Sequence, residues 1–303
     1  ANIDVAPGKV VYTQWLNERG GIEADVTIAR LNENTFDVIT SISSLQRDWS
    51  YLQQNLKNDT QLTNITLDYG CLSVQGPQSR SLLQGLVDVD LSNDHFKFST
   101  GKYTELLGLK IWIQKLSYVG ELGWELFIPS AKVKKIYLAI KEEGKKYNIR
   151  DVGMHALNSL RLEKGYRHWG HDIAAEDNLI EAGLSFIAKP DVGDFIGKDA
   201  FLYAKSQGLP ARRLVQFKLD DPEPLLYHNE PIVMNEDIVG YLSSAMYGHS
   251  LGRAIGMGYV KAPALTTEKL NNANFEIEIA TERYSAQASL RSLYDPNNEK
   301  LQL

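Results

Sequence analysis

A chain of 303 residues with 43% hydrophobic and 23% charged side chains is long enough for two or three domains around a large buried core, and its composition is that of a globular protein. A formal net charge of −6 leaves no basic surface for phosphate backbones, which argues against nucleic acid as the main partner, and no apolar run reaches the ~20 residues that cross a bilayer. The lone Cys71 excludes an internal disulfide framework and suits a reducing compartment, the cytoplasm or, in a eukaryote, the mitochondrial matrix. The chain opens on Ala1 with strand-like sequence close behind, so it is expected to be a piece of a longer protein.

Residues 8–30 read as two strands joined by a turn at Asn17–Gly21, with Val10, Tyr12, Val26 and Ile28 as their β-branched and aromatic content. Over residues 43–57, Leu45, Trp49, Leu52 and Leu56 recur at helical spacing, with Ser43 or Ser44 as the cap. GCLSVQGPQSRSLLQGL reads as strand, turn and helix, with Pro77 in the first helical turn, where a missing N–H costs nothing. LGLKIWIQKLSY is a long strand leading into SYVGELGWEL. Ser130 is expected to cap a helix reaching about Tyr147, and Asp151 another that stops near Gly165. After KSQGLPARR (205–213), short β-like runs alternate with turns such as LDDPEP and YHNEP, which predicts a mostly β unit from about residue 211.

Three stretches could carry chemistry. On the strand GWELFIP, Trp124, Leu126 and Ile128 share one face, and Glu125 lies on the other beside Phe127. A half-buried carboxylate needs a donor, so Glu125 either makes an ordinary ion pair or holds a ligand. Glu121, inside the Gly120–Gly123 turn, reads as solvated. In NERGGIEADVTIARL, Asp25 sits among Ile22, Val26 and Ile28, where an aspartate is disfavoured; it is a strand-end carboxylate facing water or a functional one. In SLRLEKGYRHWGHDI, Arg161 and Glu163 end a helix and a dense polar–aromatic cluster follows. His168 and His171 lie three apart, but without the spacing or the companion ligands of a metal site they read as structural histidines, and no metal is expected. Dinucleotide, Walker A and nucleophile-elbow motifs are missing, and Cys71 reads as core.

Together these stretches resemble the folate-binding aminomethyltransferases, of which the glycine-cleavage T-protein is the type. RGGIEADVTIARL is similar to the family's Gly-rich segment ending in its catalytic aspartate, and SYVGELGWEL to its Tyr–x–Gly–Glu–x–Gly–aromatic–Glu segment. LRLEKGYRHWGHDI, NLIEAGLSFIAK and FIGKDAF resemble the helix and loop that follow. GELGWEL with LEKGYRHWGHD most resembles the carboxy-terminal half of flavin-dependent dimethylglycine and sarcosine dehydrogenases.

The resemblance covers nearly the whole chain, apart from the family's opening segment, and implies an α+β three-domain cloverleaf with a C-terminal β-barrel-like domain. Its parts would be residues 1–65 (second half of a folate-binding subdomain), 66–208 (a second α+β subdomain) and 209–303 (the barrel-like domain). It implies tetrahydrofolate as cofactor, with Asp25 catalytic, Glu125 (not Glu121) gripping the pterin, Tyr12 and Tyr118 lining the pocket and Arg161 contacting folate. The activity implied is capture of a CH2 group from a small methylated or aminomethyl donor, giving 5,10-methylenetetrahydrofolate. FAD would belong only to an N-terminal flavin domain of the intact protein. The alternatives are a stand-alone folate-dependent demethylase and a non-catalytic regulatory scaffold.

Overall fold

The computed structural model describes residues 1–57, 59–262 and 264–303 as a mixed helix-and-sheet fold. Strands β1 (Val10–Leu16), β2 (Ile22–Arg30) and β3 (Phe36–Ile39) form an antiparallel sheet in that order. The β1–β2 turn is built by Asn17, whose side-chain oxygen accepts from the main-chain N–H groups of Arg19 (3.0 Å) and Gly21 (2.9 Å). Gly21 has a steric reason: a Cβ there would sit 1.9 Å from the Ala175 carbonyl oxygen. One face of this sheet buries Ala24, Val26 and Ile28 with Trp15. Helix α1 (Leu45–Asn55) is tied to the sheet by the stacked rings of Tyr51 and Trp15 (5.3 Å) and by the Tyr51 hydroxyl on the Leu16 carbonyl (2.8 Å).

The second sheet has the order β4 (Tyr69–Gln75), β7 (Gly123–Pro129), β6 (Leu109–Lys115), β5 (Thr100–Leu106), all antiparallel. Its alternation sends Val74, Ile113, Trp124 and Leu126 to one face, where they pack with Leu83 of α2 (Ser79–Gln84) and Ile136 of α3 (Val133–Gly144). The opposite face meets the first sheet: Val10 and Ala29 pack on Trp112, with Phe127 beside them.

Helix α4 (Met154–Glu163) leads to a long irregular segment and α5 (Lys198–Ser206). Strands β8 (Arg212–Leu219), β9 (Pro231–Met234), β10 (Asp237–Gly248), β11 (Arg253–Lys261), β12 (Phe275–Ile279) and β13 (Glu282–Ser289) close a barrel in the ring order β10-β11-β8-β13-β12-β9. Closure removes the exposed strand edges, and the barrel is filled by side chains such as Phe217 and Phe275, in edge contact at 5.5 Å. Helix α6 (Thr267–Asn272) precedes β12. Among the described residues no helix is long and apolar enough to cross a membrane.

Several local expectations are corrected. Ser44 precedes α1 but does not cap it: its hydroxyl donates to Asp48 (2.8 Å), while Ser41 caps the 3₁₀ turn before the helix. Pro77 lies in the turn ahead of α2, outside its first turn. The Ser130 hydroxyl donates to the Leu67 carbonyl (2.6 Å), and α3 starts after a 3₁₀ turn. Asp151 accepts from Tyr137 and Lys141 instead of capping α4, which begins after Gly153. Strands β3 and β5 had no counterpart in the sequence reading.

Candidate functional site

Asp25 lies inside β2, directly opposite Gln14 of β1, and not at a strand end facing water. The Gln14 amide donates to the Asp25 carboxylate (2.6 Å), and no cation forms an ion pair with it among the described residues. Burial outweighs that bond and the nearby Tyr12 hydroxyl, lifting the Asp25 pKa from 3.8 to about 6. Gln14 is only 8% exposed, and its amide oxygen is buried without a partner. Tyr12 remains 37% exposed, with Asp25, Arg167 and Tyr118 within electrostatic range of its hydroxyl.

Glu125, on β7, is served in the same manner by Gln114 on β6, whose amide donates to it at 2.8 Å. The Trp112 indole N–H donates to the Gln114 oxygen (3.2 Å), which fixes the amide so that its nitrogen faces Glu125. Burial raises the Glu125 pKa, with the Gln114 bond opposing. Glu125 also has no ion pair among the described residues. Strand alternation connects the two carboxylates. Gln14 and Asp25 continue the faces of Val10 and Ala29, while Gln114 and Glu125 continue those of Trp112 and Phe127, so both carboxylates belong to the sheet faces that meet at this apolar contact. The β6–β7 loop brings Tyr118 within electrostatic range of Asp25 and Tyr12. Its hydroxyl donates to the Arg167 carbonyl (2.9 Å), and burial pushes its pKa up to about 12.

Arg161 is placed differently. It is 3% exposed, and its guanidinium donates to Asp172 (2.6 Å), Ser244 (2.9 Å), the Tyr166 carbonyl (3.1 Å) and Asn158 (3.3 Å). Asp172, fully buried, also receives the His168 main-chain N–H (3.0 Å) and the Ser243 hydroxyl (2.6 Å). Neighbouring charges have similar work: Glu163 accepts from the main-chain N–H groups of Ser250 and Leu251, and Lys164 pairs with Asp295. The LRLEK charges therefore fasten α4 to the barrel, and Arg161 stands in the wall of the site with every donor nitrogen engaged inside the protein.

Two more readings change. Glu121 is half-buried and accepts from the Tyr294 hydroxyl. Cys71 reaches the surface instead of the core, on β4 next to the Glu125 strand; the protein packed around its sulfur desolvates the thiolate and, with the Glu125 charge, raises its pKa to about 12, so it stays a thiol. The His168 and His171 rings lie 4.6 Å apart, and the described residues contain no group of three or more His, Cys, Asp or Glu side chains arranged to hold a metal. Sequence reasoning missed Gln14, Gln114 and Arg167. For Arg167 the signal was its place in the polar–aromatic cluster after Gly165, and for the two glutamines a polar side chain within a strand.

The GCVT N-terminal domain model matches residues 1–191, and the glycine cleavage T-protein C-terminal barrel domain model matches residues 212–295. Mitochondrial sarcosine dehydrogenase of Homo sapiens is 36% identical over 321 residues, covering 99% of this chain and 35% of that one. The aminomethyltransferase of Halothermothrix orenii is 34% identical over 255 residues, covering 84% and 70%. The crystal structure of aminomethyltransferase T of the glycine cleavage system from Bartonella henselae superposes with a TM-score of 0.83 at 24% identity, over 97% of this chain and 78% of that one, and shares its fold. The chain spans about a third of the length of the sarcosine dehydrogenase that it matches.

Proposed function

Because the chain belongs to the glycine cleavage T-protein family, we propose that it is an enzyme that transfers a CH2 group from an amine to tetrahydrofolate, forming 5,10-methylenetetrahydrofolate. We propose further that it is the folate-binding part of a longer protein of the dimethylglycine/sarcosine dehydrogenase type, in which any FAD lies in a separate N-terminal domain. The division into residues 1–65, 66–208 and 209–303 belongs to the same proposal.

The observation that carries this reading is the pair of desolvated carboxylates, each held by one glutamine amide and neither ion-paired among the described residues. Carboxylates kept this way cost stability, which a regulatory scaffold has no reason to bear. Glu125 fits the pterin ring: a carboxylate facing an amino group and a ring N–H side by side can accept from both, and its Gln114 bond occupies only one oxygen. The Trp112–Gln114 relay holds that carboxylate in orientation. When bound, the folate supplies the nitrogen that takes up the one-carbon unit. Asp25, with a pKa of about 6, is ionised at neutral pH yet able to accept a proton, so it can orient the reacting groups and hold the proton that nitrogen releases. Tyr12 and Tyr118 line the space around Asp25, and the packed sheets limit water there.

Calorimetric titration of tetrahydrofolate into full-length protein tests this reading. Glu125→Gln turns one acceptor into a donor facing a donor, which should cost about 2–3 kcal/mol, roughly 30- to 150-fold in affinity. Equal affinities would sink the assignment.

A further inference from the structure

Arg30, Arg47, Arg161, Arg212 and Arg283 each hold a carboxylate. Arg167, among the described residues, holds none. Its guanidinium donates only to main-chain oxygens: Gly165 (2.7 Å) and Ala182 (2.9 and 3.2 Å). Three of its five N–H groups are thereby used and two remain. It is half-buried, and burial lowers its pKa, against the opposing charges of Tyr12, Asp172, Tyr259 and Asp25. Asp172 already accepts from Arg161, His168 and Ser243, and it makes no ion pair with Arg167 among the described residues. Gly183 keeps the place open: a Cβ there would meet the guanidinium at 3.0 Å. Beside Glu125, which the reading above assigns to the pterin, the site thus contains a second anion, Asp25, and a cation, Arg167, within electrostatic range of each other but not paired.

An anion and a cation held near each other without pairing are the complement of a zwitterion. We propose that Arg167 is a specificity-determining residue that receives the carboxylate of an amino-acid amine donor while the donor's cationic nitrogen faces Asp25. The proposal rests on the one-carbon transfer reading above, and it narrows the donor to amines that carry a carboxylate. Bidentate guanidinium–carboxylate pairing is strong and directional, and two free N–H groups on a guanidinium already fixed by carbonyls are organised for it.

The test titrates glycine, which has both charges, and methylamine, which has only the ammonium, into the protein with and without tetrahydrofolate. Glycine should bind at least about tenfold more tightly than methylamine in wild type, and Arg167→Gln should bring the two within about twofold. Equal binding of the two in wild type would overturn the proposal without any variant, as would a preference that survives Arg167→Gln in protein shown to melt cooperatively. A second arm compares tetrahydrofolate with tetrahydropteroate, which lacks the glutamate. If Arg167→Gln weakens only tetrahydrofolate, the carboxylate received is the folate's own and the donor assignment falls. Failure of tetrahydrofolate to bind wild type would sink the one-carbon reading instead, and glycine selectivity in its absence would still report on Arg167.

Discussion

Replacing Asp25 by asparagine should make the folded protein more stable at neutral and alkaline pH, and by an amount that the structure sets. The carboxyl has an ordinary pKa of 3.8 and is lifted to about 6 in the folded state, chiefly by burial. At about 1.4 kcal/mol per unit, a rise of roughly two units corresponds to about 3 kcal/mol of penalty for the ionised form. The sign follows from linkage. The folded state binds the proton more tightly than the unfolded state, so the penalty is absent below pH 3.8. It grows as pH rises toward 6 and is constant above that. Asparagine is never ionised, and its side-chain oxygen can still accept from Gln14. The wild-type and Asp25→Asn proteins should therefore unfold at similar urea concentrations near pH 4. At pH 8 the variant should be about 2–3 kcal/mol more stable, allowing for partial solvent screening. Urea melts at pH 4, 5, 6 and 8 give the whole curve. An Asp25→Asn protein that is less stable at pH 8, or a difference that does not change with pH, would refute the picture of Asp25 as a strained functional carboxylate.

Asp172→Ala should destabilise by about 3–5 kcal/mol, because it leaves the buried Arg161 guanidinium without its anion; a loss under 1 kcal/mol in the same urea assay would show that the pair is dispensable. Gln14→Met removes the amide donor that lowers the Asp25 pKa, so the acidic limb of the pH–rate profile should move to higher pH with tetrahydrofolate affinity unchanged within threefold, whereas a fixed limb would mean that Gln14 does not act on Asp25.

Fold class was legible because the signals were local. Alternation marked β1, β2 and β7, and the strand–turn rhythm beyond residue 213 marked a mostly β unit, which the family resemblance made barrel-like. What escaped was decided at a distance. TGKYTEL alternates weakly and becomes β5 only through pairing with β6. The serines before α1 each offer a cap, but Ser44, at the capping position, turns its hydroxyl to Asp48, and Ser41 caps the preceding 3₁₀ turn. Cys71 shares its face of β4 with Tyr69, Ser73 and Gln75, so parity pointed to the open face, and the core reading followed only the apolar character of the thiol. In the site, Arg161 and Arg167 share one motif six residues apart. Which of them is consumed depends on Asp172, brought back onto the helix by the turn that ends the motif, and on Ser244, remote in sequence. Gln14 and Gln114 have no spacing signature at all, and their roles exist only once strand pairing sets each amide beside its carboxylate.

The division of labour proposed for the two carboxylates rests on their surroundings. Glu125 has a donor relay that fixes its orientation, as a binding group needs, while Asp25 has a pKa near neutrality among tyrosines, as a proton-handling group needs. Neither feature is required by packing, since the apolar contact of Val10, Ala29 and Trp112 already joins the two sheets.

The most direct test of one-carbon transfer is the fate of the carbon in full-length protein, with saturating tetrahydrofolate and sarcosine or dimethylglycine as donor. Wild type should deliver the carbon as 5,10-methylenetetrahydrofolate. Asp25→Asn should slow that delivery by about 10²–10⁴-fold and divert the carbon to free formaldehyde, while tetrahydrofolate affinity stays within a few-fold. Product partition identical in the two proteins would contradict the account, leaving Asp25 a carboxylate with no part in the chemistry.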